Sequence, residues 1–481
     1  MTVARMLPPE TLEQVQTWGQ TFGSLNYVQR PSTIAELKAT FELARQTGRS
    51  VGMRGSGLSY GDAALNAENI LLDLRRLNRI LAWDPARGVI TMEPGVTIAQ
   101  LWRYILPDGW WPPVMPGTMF PTIGGALAMN IHGKNQWKTG ALGDHILAFD
   151  VLLPGGDILH CTKTENADLF YSVIGSFGML GCFTSITLQL KKIYSGKVNV
   201  TTFYEPNLHA LLQHIEQLKD SSDYLIGWID CFAGKQQLGR GQLQMLSELP
   251  PGADANMHQT LLPEYQEPPN EIFGIIPRSI LWRFVKLFVN DWGMRLVSTA
   301  NFWSGKLQHG KSKLESYVTA NFLLDYVPNW KNAYLPGGLI QHQSFVPTEQ
   351  AEPIFREILT LCQKAGLPAY LAVLKRYRPD NFLVSCNIDG FSLALDFRVT
   401  KRNRKKLLTL LRQLDDLVVN AGGRFYFAKD STLHPDTVET YLGEATLQKL
   451  RALKKRCDPE NLLQSNLSRR LFAQIFENTT S

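Results

Sequence analysis

Three glycine-bearing segments hold the residue types that could do chemistry. The first, Arg54-Gly55-Ser56-Gly57-Leu58-Ser59-Tyr60-Gly61-Asp62, sets closely spaced glycines among small hydroxyl residues. Such a segment lets consecutive backbone N–H groups converge on an anion. It lacks the Gly-Lys-Ser/Thr ending of a P-loop, and no GxGxxG opens a long helix. A plain tight turn is the competing reading. The second segment runs from Pro116 and Gly117 to Asn135. Its Gly124-Gly125 pair, followed by ALAMNI, reads as a phosphate-binding turn feeding a short helix of small residues. His132 and Lys134 flank Gly133 and add two donor or cationic groups. The third, Gly175 to Phe183, is a glycine cluster at a helix end, before the strand-like TSITLQL.

The elements around these segments alternate between helical and extended patterns. Ile34, Leu37, Phe41 and Ala44 recur at helical spacing behind Pro31-Ser32-Thr33, which predicts a capped amphipathic helix. NILLDL (69–74), RGVITME (87–93) and FDVLLPGGDIL (149–159) read as strands, the last folded on its Pro-Gly-Gly turn. Strands interrupted by single helices predict an α+β fold. Residues 247–271 are polar and proline-rich and read as a long surface loop. Residues 272–296 are apolar and aromatic, with Arg278, Arg283, Lys286 and Arg295 interspersed. They read either as a basic aromatic helix on a membrane surface or as a core helix with snorkelling cations. From 340 to 400, strand-like runs flank a helix, and 402–421 is a further amphipathic helix. Gln341 and Gln343 alternate along one of those strands and so face one side.

With 481 residues, 44% of them apolar, the chain can bury a large core without staples. Charged residues are 19%, which argues against disorder. The net charge of +6 is too small for a dedicated nucleic-acid binder. It is also uneven: residues 396–481 hold sixteen Lys and Arg against ten Asp and Glu. The short basic runs there, such as Lys454-Lys455-Arg456, read as solvated helix faces. Six dispersed cysteines show neither disulfide nor metal-ligand spacing. No export signal and no spanning apolar run is visible, so the expected location is cytoplasmic, or peripheral at the cytoplasmic membrane.

RGSGLSYGD, then PGTMFPTIGGALAMNIHGKN, then LFYSVIGSFGMLGCFTSITL resemble the FAD-binding domain of the vanillyl-alcohol-oxidase/PCMH flavoprotein superfamily. IQHQSFVP (340–347), VLKRY (373–377), LALDF (393–397), GGRFYFAKDS (422–431) and CDPENLLQSNLSRR (457–470) extend the resemblance over nearly the whole chain. Within the superfamily they resemble the branch that oxidises polyprenylphosphoryl ribose. The resemblance implies a PCMH-type FAD-binding domain over 1–195, an antiparallel-sheet substrate domain over 196–415, and a C-terminal segment, 416–481, returning to the first. It implies FAD held by Arg54 to Asp62 and by Gly117 and Thr122 to Gly125. Asn130, Ile131 and His132 would lie along the flavin, with Phe183 and Tyr426 closing the site. Several members link FAD through a His or Cys in the first loop; here Leu58 stands in that place, so non-covalent FAD is expected.

The implied reaction moves a hydride from an alcohol carbon to FAD, giving a keto-sugar. That chemistry needs an acceptor for the hydroxyl proton and a positive charge near the flavin. Lys429 is the expected cation, with His132 and Tyr60 as the other catalytic candidates. Gln341, Gln343, Lys375 and Trp228 are expected to line the sugar site. Ser392 and Ala394 stand where some members carry Asn and Cys. The implied partners are a lipid-linked sugar, an NAD(P)H-dependent short-chain reductase completing a 2′-epimerisation, and a membrane surface, with no nucleic acid. The alternative is an oxidase of free alditols or sugar lactones.

Overall fold

A computed structural model describes residues 7, 9–268, 271, 272 and 276–477. The first six residues, read above for a leader, lie outside the described residues, as do 273–275 of the aromatic stretch.

The fold is α+β, with three main sheets. Leu12–Gln16 pairs antiparallel with Gly23–Gln29, and Ile70–Asp73 and Val51–Arg54 extend that sheet in parallel. The helix Ile34–Thr47 covers it, and its ends follow the sequence: the Thr33 side chain accepts from Glu36 N, and Gly48 closes it in the left-handed region. The helix buries Leu37, Phe41 and Ala44 against Val51, Ile70 and Leu72. A second sheet is wholly antiparallel: Ile80–Asp84, Val89–Met92, Cys182–Gln189, Ile146–Leu152 and Ile158–Thr162.

The third sheet has eight antiparallel strands. Its order is Lys311–Ser316, Lys197–Glu205, Gly241–Glu248, Tyr224–Ile229, Leu371–Tyr377, Gly390–Arg398, Leu339–Pro347 and Arg424–Phe425. The helices Leu208–Leu218, Thr348–Lys364 and Arg404–Asn420 contact this sheet. After Phe425 the chain returns to the first sheet, where Val51 N donates to Leu462 O and Gln464 N to Val51 O. Lys454 fastens that return. It is not a solvated charge but buried, its ammonium donating to Met179 O (3.0 Å), Leu463 O (2.6 Å) and the Asp458 carboxylate (2.7 Å).

Two local readings are corrected. Residues 247–271 are not all loop: two helical turns, Met257–Thr260 and Pro263–Gln266, are held by the buried Gln266 amide donating to Gly196 O and Thr260 O. The aromatic stretch is not one helix. Leu281–Phe288 ends at Val289, and Asn290 caps a second helix, Asp291–Gln308, that continues beyond the expected limit. All six cysteines are buried and unpaired.

Candidate active site

A large cavity runs from the first glycine loop to one face of the eight-stranded sheet. Arg54 through Tyr60 line one end, with Gly117, Thr122, Gly124 and Gly125 across from them. Ile131, His132, Phe183 and Tyr426 line the middle, and Trp228, Gln341, Gln343 and Lys375 line the sheet face. Lys429 sits at the junction.

At the glycine end the wall is built of unspent donors. The backbone N–H groups of Ser56, Gly57, Leu58 and Ser59 have no protein acceptor among the described residues. Arg54 donates one bond, Nη1 to Ala64 O at 3.1 Å, and has no carboxylate partner among them. Gly57 is in the left-handed region (φ 67°), and a Cβ there would lie 2.1 Å from the Arg54 guanidinium. The left-handed backbone here favours glycine, and the arginine would have to move aside for any side chain. The second glycine pair works differently from the expected phosphate turn. Gly124 N already donates to Pro94 O, and Gly125 N to Thr122 Oγ1. The start of the helix Ile123–Ala128 spends these donors on its cap and on the neighbouring Pro94 turn, so the free donors here come from the first loop.

Four expected cofactor residues face away from the cavity. Asp62 accepts two bonds from Arg470, at 2.8 and 2.9 Å, and Arg470 also reaches the Asp430 carboxylate at 2.7 Å. Gly61 serves the same joint: a Cβ there would lie 1.7 Å from Asp430 O, so the glycine lets the two loops meet. A carboxylate would repel a pyrophosphate, and the buried Asp62 instead pairs with a half-buried arginine. Ile123 is in the core. The buried Asn130 side chain accepts from Gly143 N at 2.8 Å and is turned toward Asp380. Lys134 is also spent: its ammonium donates to Ala320 O and Asn321 O, both at 2.8 Å, and burial pulls its pKa down to about 7.

The sheet face owes its chemistry to alternation. Gln341, Gln343, Val373, Lys375, Ser392 and Ala394 point into the cavity from three neighbouring strands, with Lys375 opposite Ser392 and Gln343 opposite Ala394. Gln343 donates to Ser392 Oγ at 3.0 Å. Neither the Lys375 nor the Lys429 ammonium has a hydrogen-bond or ion-pair partner among the described residues. Burial lowers the Lys375 ammonium to about 8. Burial also pulls Lys429 down, with Asp396 opposing and Lys375 adding to the effect. Asp396 is pushed up by the same burial; it accepts from Gln341 Nε2 through Oδ1, while its buried Oδ2 has no partner.

His132 is packed by three rings, Tyr426 at 4.6 Å, Tyr377 at 5.0 Å and Phe345 at 5.6 Å between centroids. Burial holds its pKa well below the ordinary value, and Lys375 and Lys429 push the same way, so the ring is neutral. The Gln343 amide nitrogen lies 3.5 Å from Nε2; as a donor it fits the tautomer with the ring proton on Nδ1. In that tautomer Nδ1–H donates to the Tyr377 oxygen at 2.7 Å, and the Nε2 lone pair is met only by the long Gln343 contact at the cavity wall.

Sequence reasoning missed Tyr377 and Asp396. The same two-residue step that pairs Gln341 with Gln343 joins Tyr377 to Lys375 and Asp396 to Ala394, so the signal was present. Their partners, His132 and Gln341, lie far along the chain and appear only in the fold.

Residues 25–162 match the family model described as an FAD binding domain. The chain is 27% identical to decaprenylphosphoryl-β-D-ribose oxidase of Mycolicibacterium smegmatis, over 96% of this chain and 98% of that one. It is 25% identical to L-gulonolactone oxidase of Mus musculus, over 44% of this chain and 47% of that one. A putative D-arabinono-1,4-lactone oxidase of Neurospora crassa is 29% identical, over 37% and 32% respectively. The likeness to the first spans both ends of the cavity.

Proposed function

We propose that this chain, an FAD-dependent oxidoreductase of the PCMH-type flavoprotein family acting on CH–OH groups, oxidises the 2′-hydroxyl of a polyprenylphosphoryl ribose to the ketone. The observation that carries this reading is one cavity with a donor-rich glycine end, an unpaired lysine on the sheet face, a second at the junction, and a neutral histidine between them. Likeness across nearly the whole chain to an oxidase of that substrate supports it over the lactone oxidases, whose matches cover less than half of this chain.

The residues present fit FAD. Ser56 to Ser59 offer four free amides for a pyrophosphate, and Arg54 brings a cation with no protein carboxylate to satisfy it. Bound FAD supplies the hydride acceptor. Leu58 gives no atom for a covalent link, and His132 is held through Nδ1 by Tyr377, which supports non-covalent binding. Phe183 and Tyr426 wall the middle of the cavity, where the ring system would sit.

The chain's own residues would handle the sugar. Gln341, Gln343 and Trp228 orient it against the cavity wall. As the carbon hydride leaves for the cofactor, His132 Nε2 takes the hydroxyl proton, and the Lys429 and Lys375 ammonium groups offset the charge developing on that oxygen. A neutral imidazole is the form that accepts a proton, and the cavity keeps it so. We assign the cofactor-binding part to residues 1–195 together with the C-terminal return, and the sugar-binding part to 196–415. The helix Arg404–Asn420 crosses that last limit, so the joint belongs nearer the strand Arg424–Phe425. A short-chain reductase completing the epimerisation, and a site of action at the cytoplasmic membrane, follow from a lipid-linked substrate. The test is reconstitution with FAD. A yellow protein that releases intact FAD on acid precipitation is expected; a colourless one contradicts the reading.

A further inference from the structure

The helices Leu281–Phe288 and Asp291–Gln308 are amphipathic in an unusual direction. Their inner sides are anchored: Val285 and Val289 pack into the cluster of Tyr60, Ala333, Tyr334 and Leu339, immediately behind the cavity wall. Their outer sides are apolar. Leu287 and Trp292 are each 71% exposed and Leu307 is 72% exposed, with Phe284, Leu296 and Trp303 about half exposed. In the second helix, Trp292, Leu296, Trp303 and Leu307 fall within a narrow arc at 3.6 residues per turn, a continuous stripe along its length. An apolar stripe of this extent is not left to water without a partner.

The charge around the stripe selects the partner. Arg283, Lys286, Arg295 and Lys306 are exposed beside it, and Lys306 lies 5.5 Å from the Trp303 ring. Over residues 276–308 the single acid is Asp291, whose carboxylate accepts from the Tyr370 hydroxyl. A second copy of this chain would set these cations against their own equivalents in a two-fold contact. Tryptophans with flanking cations suit the headgroup layer, where ring and ammonium both meet an apolar-to-polar boundary. We propose that the outward face of these two helices docks on an anionic phospholipid bilayer, setting the wall that carries Tyr60 against the membrane. The proposal draws its purpose from the lipid-linked substrate inferred above, but its geometry is independent of it.

The test uses full-length protein reconstituted with FAD and co-sedimented with vesicles, without substrate. Binding to phosphatidylglycerol/phosphatidylcholine vesicles at least tenfold tighter than to phosphatidylcholine alone is expected, weakening with salt. The combined variant Leu287→Ser/Trp292→Ser/Leu307→Ser should lose at least tenfold of that binding while keeping its bound-flavin spectrum. Arg295→Glu/Lys306→Glu should abolish the preference for the anionic lipid. No sedimentation with anionic vesicles, or unchanged binding by the triple variant, overturns the proposal. So does a solution dimer that the triple variant dissolves, because the face is then a self-contact. Since no sugar is present, failure here leaves the oxidation reading standing, and failure of the sugar test leaves this one.

Discussion

The Lys429 ammonium lies 3.8 Å from the centroid of the Tyr60 ring, at the seam where the first glycine loop meets the C-terminal return. Tyr60 N donates to Ala428 O at 2.9 Å, so the backbone fixes the pair as well as the side chains do. The ring face partly compensates a cation that has no ion-pair partner among the described residues, with the Asp396 carboxylate acting on it from farther off. If Lys429 works at the reacting centre, Lys429→Met should retain FAD but slow flavin reduction by sugar about 10²–10³-fold, in stopped-flow absorbance. Equal loss of FAD binding would make the lysine a structural residue instead.

The Asp62–Arg470–Asp430 joint is predicted to hold the fold rather than the chemistry. Arg470→Ala leaves two buried carboxylates unpaired and should cost about 3–5 kcal/mol in denaturant unfolding. The folded fraction should still reduce its flavin at a near-normal rate.

The first loop gives a prediction about affinity. Gly57→Val puts a β-branched residue at positive φ and against the Arg54 guanidinium. FAD affinity, read from the quenching of flavin fluorescence on binding, should fall about 10- to 100-fold.

The cavity's charges set the pH dependence. His132 is held neutral well below its ordinary range, so kcat/KM should show no falling acid limb near pH 6.5. Lys429 is lowered to about 7 and Lys375 to about 8, and both must be protonated to work as cations, so kcat/KM should fall as pH rises through about 7 to 8, not 10.5. Lys375→Arg/Lys429→Arg, whose guanidinium groups stay charged, should shift that alkaline limb upward.

Tyr377 acts through His132. Tyr377→Phe removes the oxygen that receives Nδ1–H, and kcat should fall about tenfold with KM nearly unchanged. The alkaline limb set by Lys429 and Lys375 should stay in place.

Much of this was readable in one dimension because short-range rules govern it. The cap at Thr33, the hairpin at Pro154-Gly155-Gly156, and the shared face of Gln341 and Gln343 each depend on neighbours in sequence. The glycine loop was legible as a run of converging backbone donors for the same reason. What failed was long-range. Asp62 and Gly61 sit in the same motif as Ser56 and Gly57, yet they answer to Arg470 and Asp430, some four hundred residues on. Lys134 beside His132 looked like a second cation for the site. Two carbonyls at 320 and 321 claim it instead. Lys454 stood in a charge run and is buried, because its acceptors come from Met179 and Leu463.

The most direct measurement is anaerobic mixing of the FAD-loaded protein with lipid-linked and free sugars, following the visible flavin band. Bleaching by a polyprenylphosphoryl ribose, and formation of the corresponding 2′-ketone, is the predicted result. Bleaching by free alditols or sugar lactones, with the lipid-linked ribose inert, would contradict it.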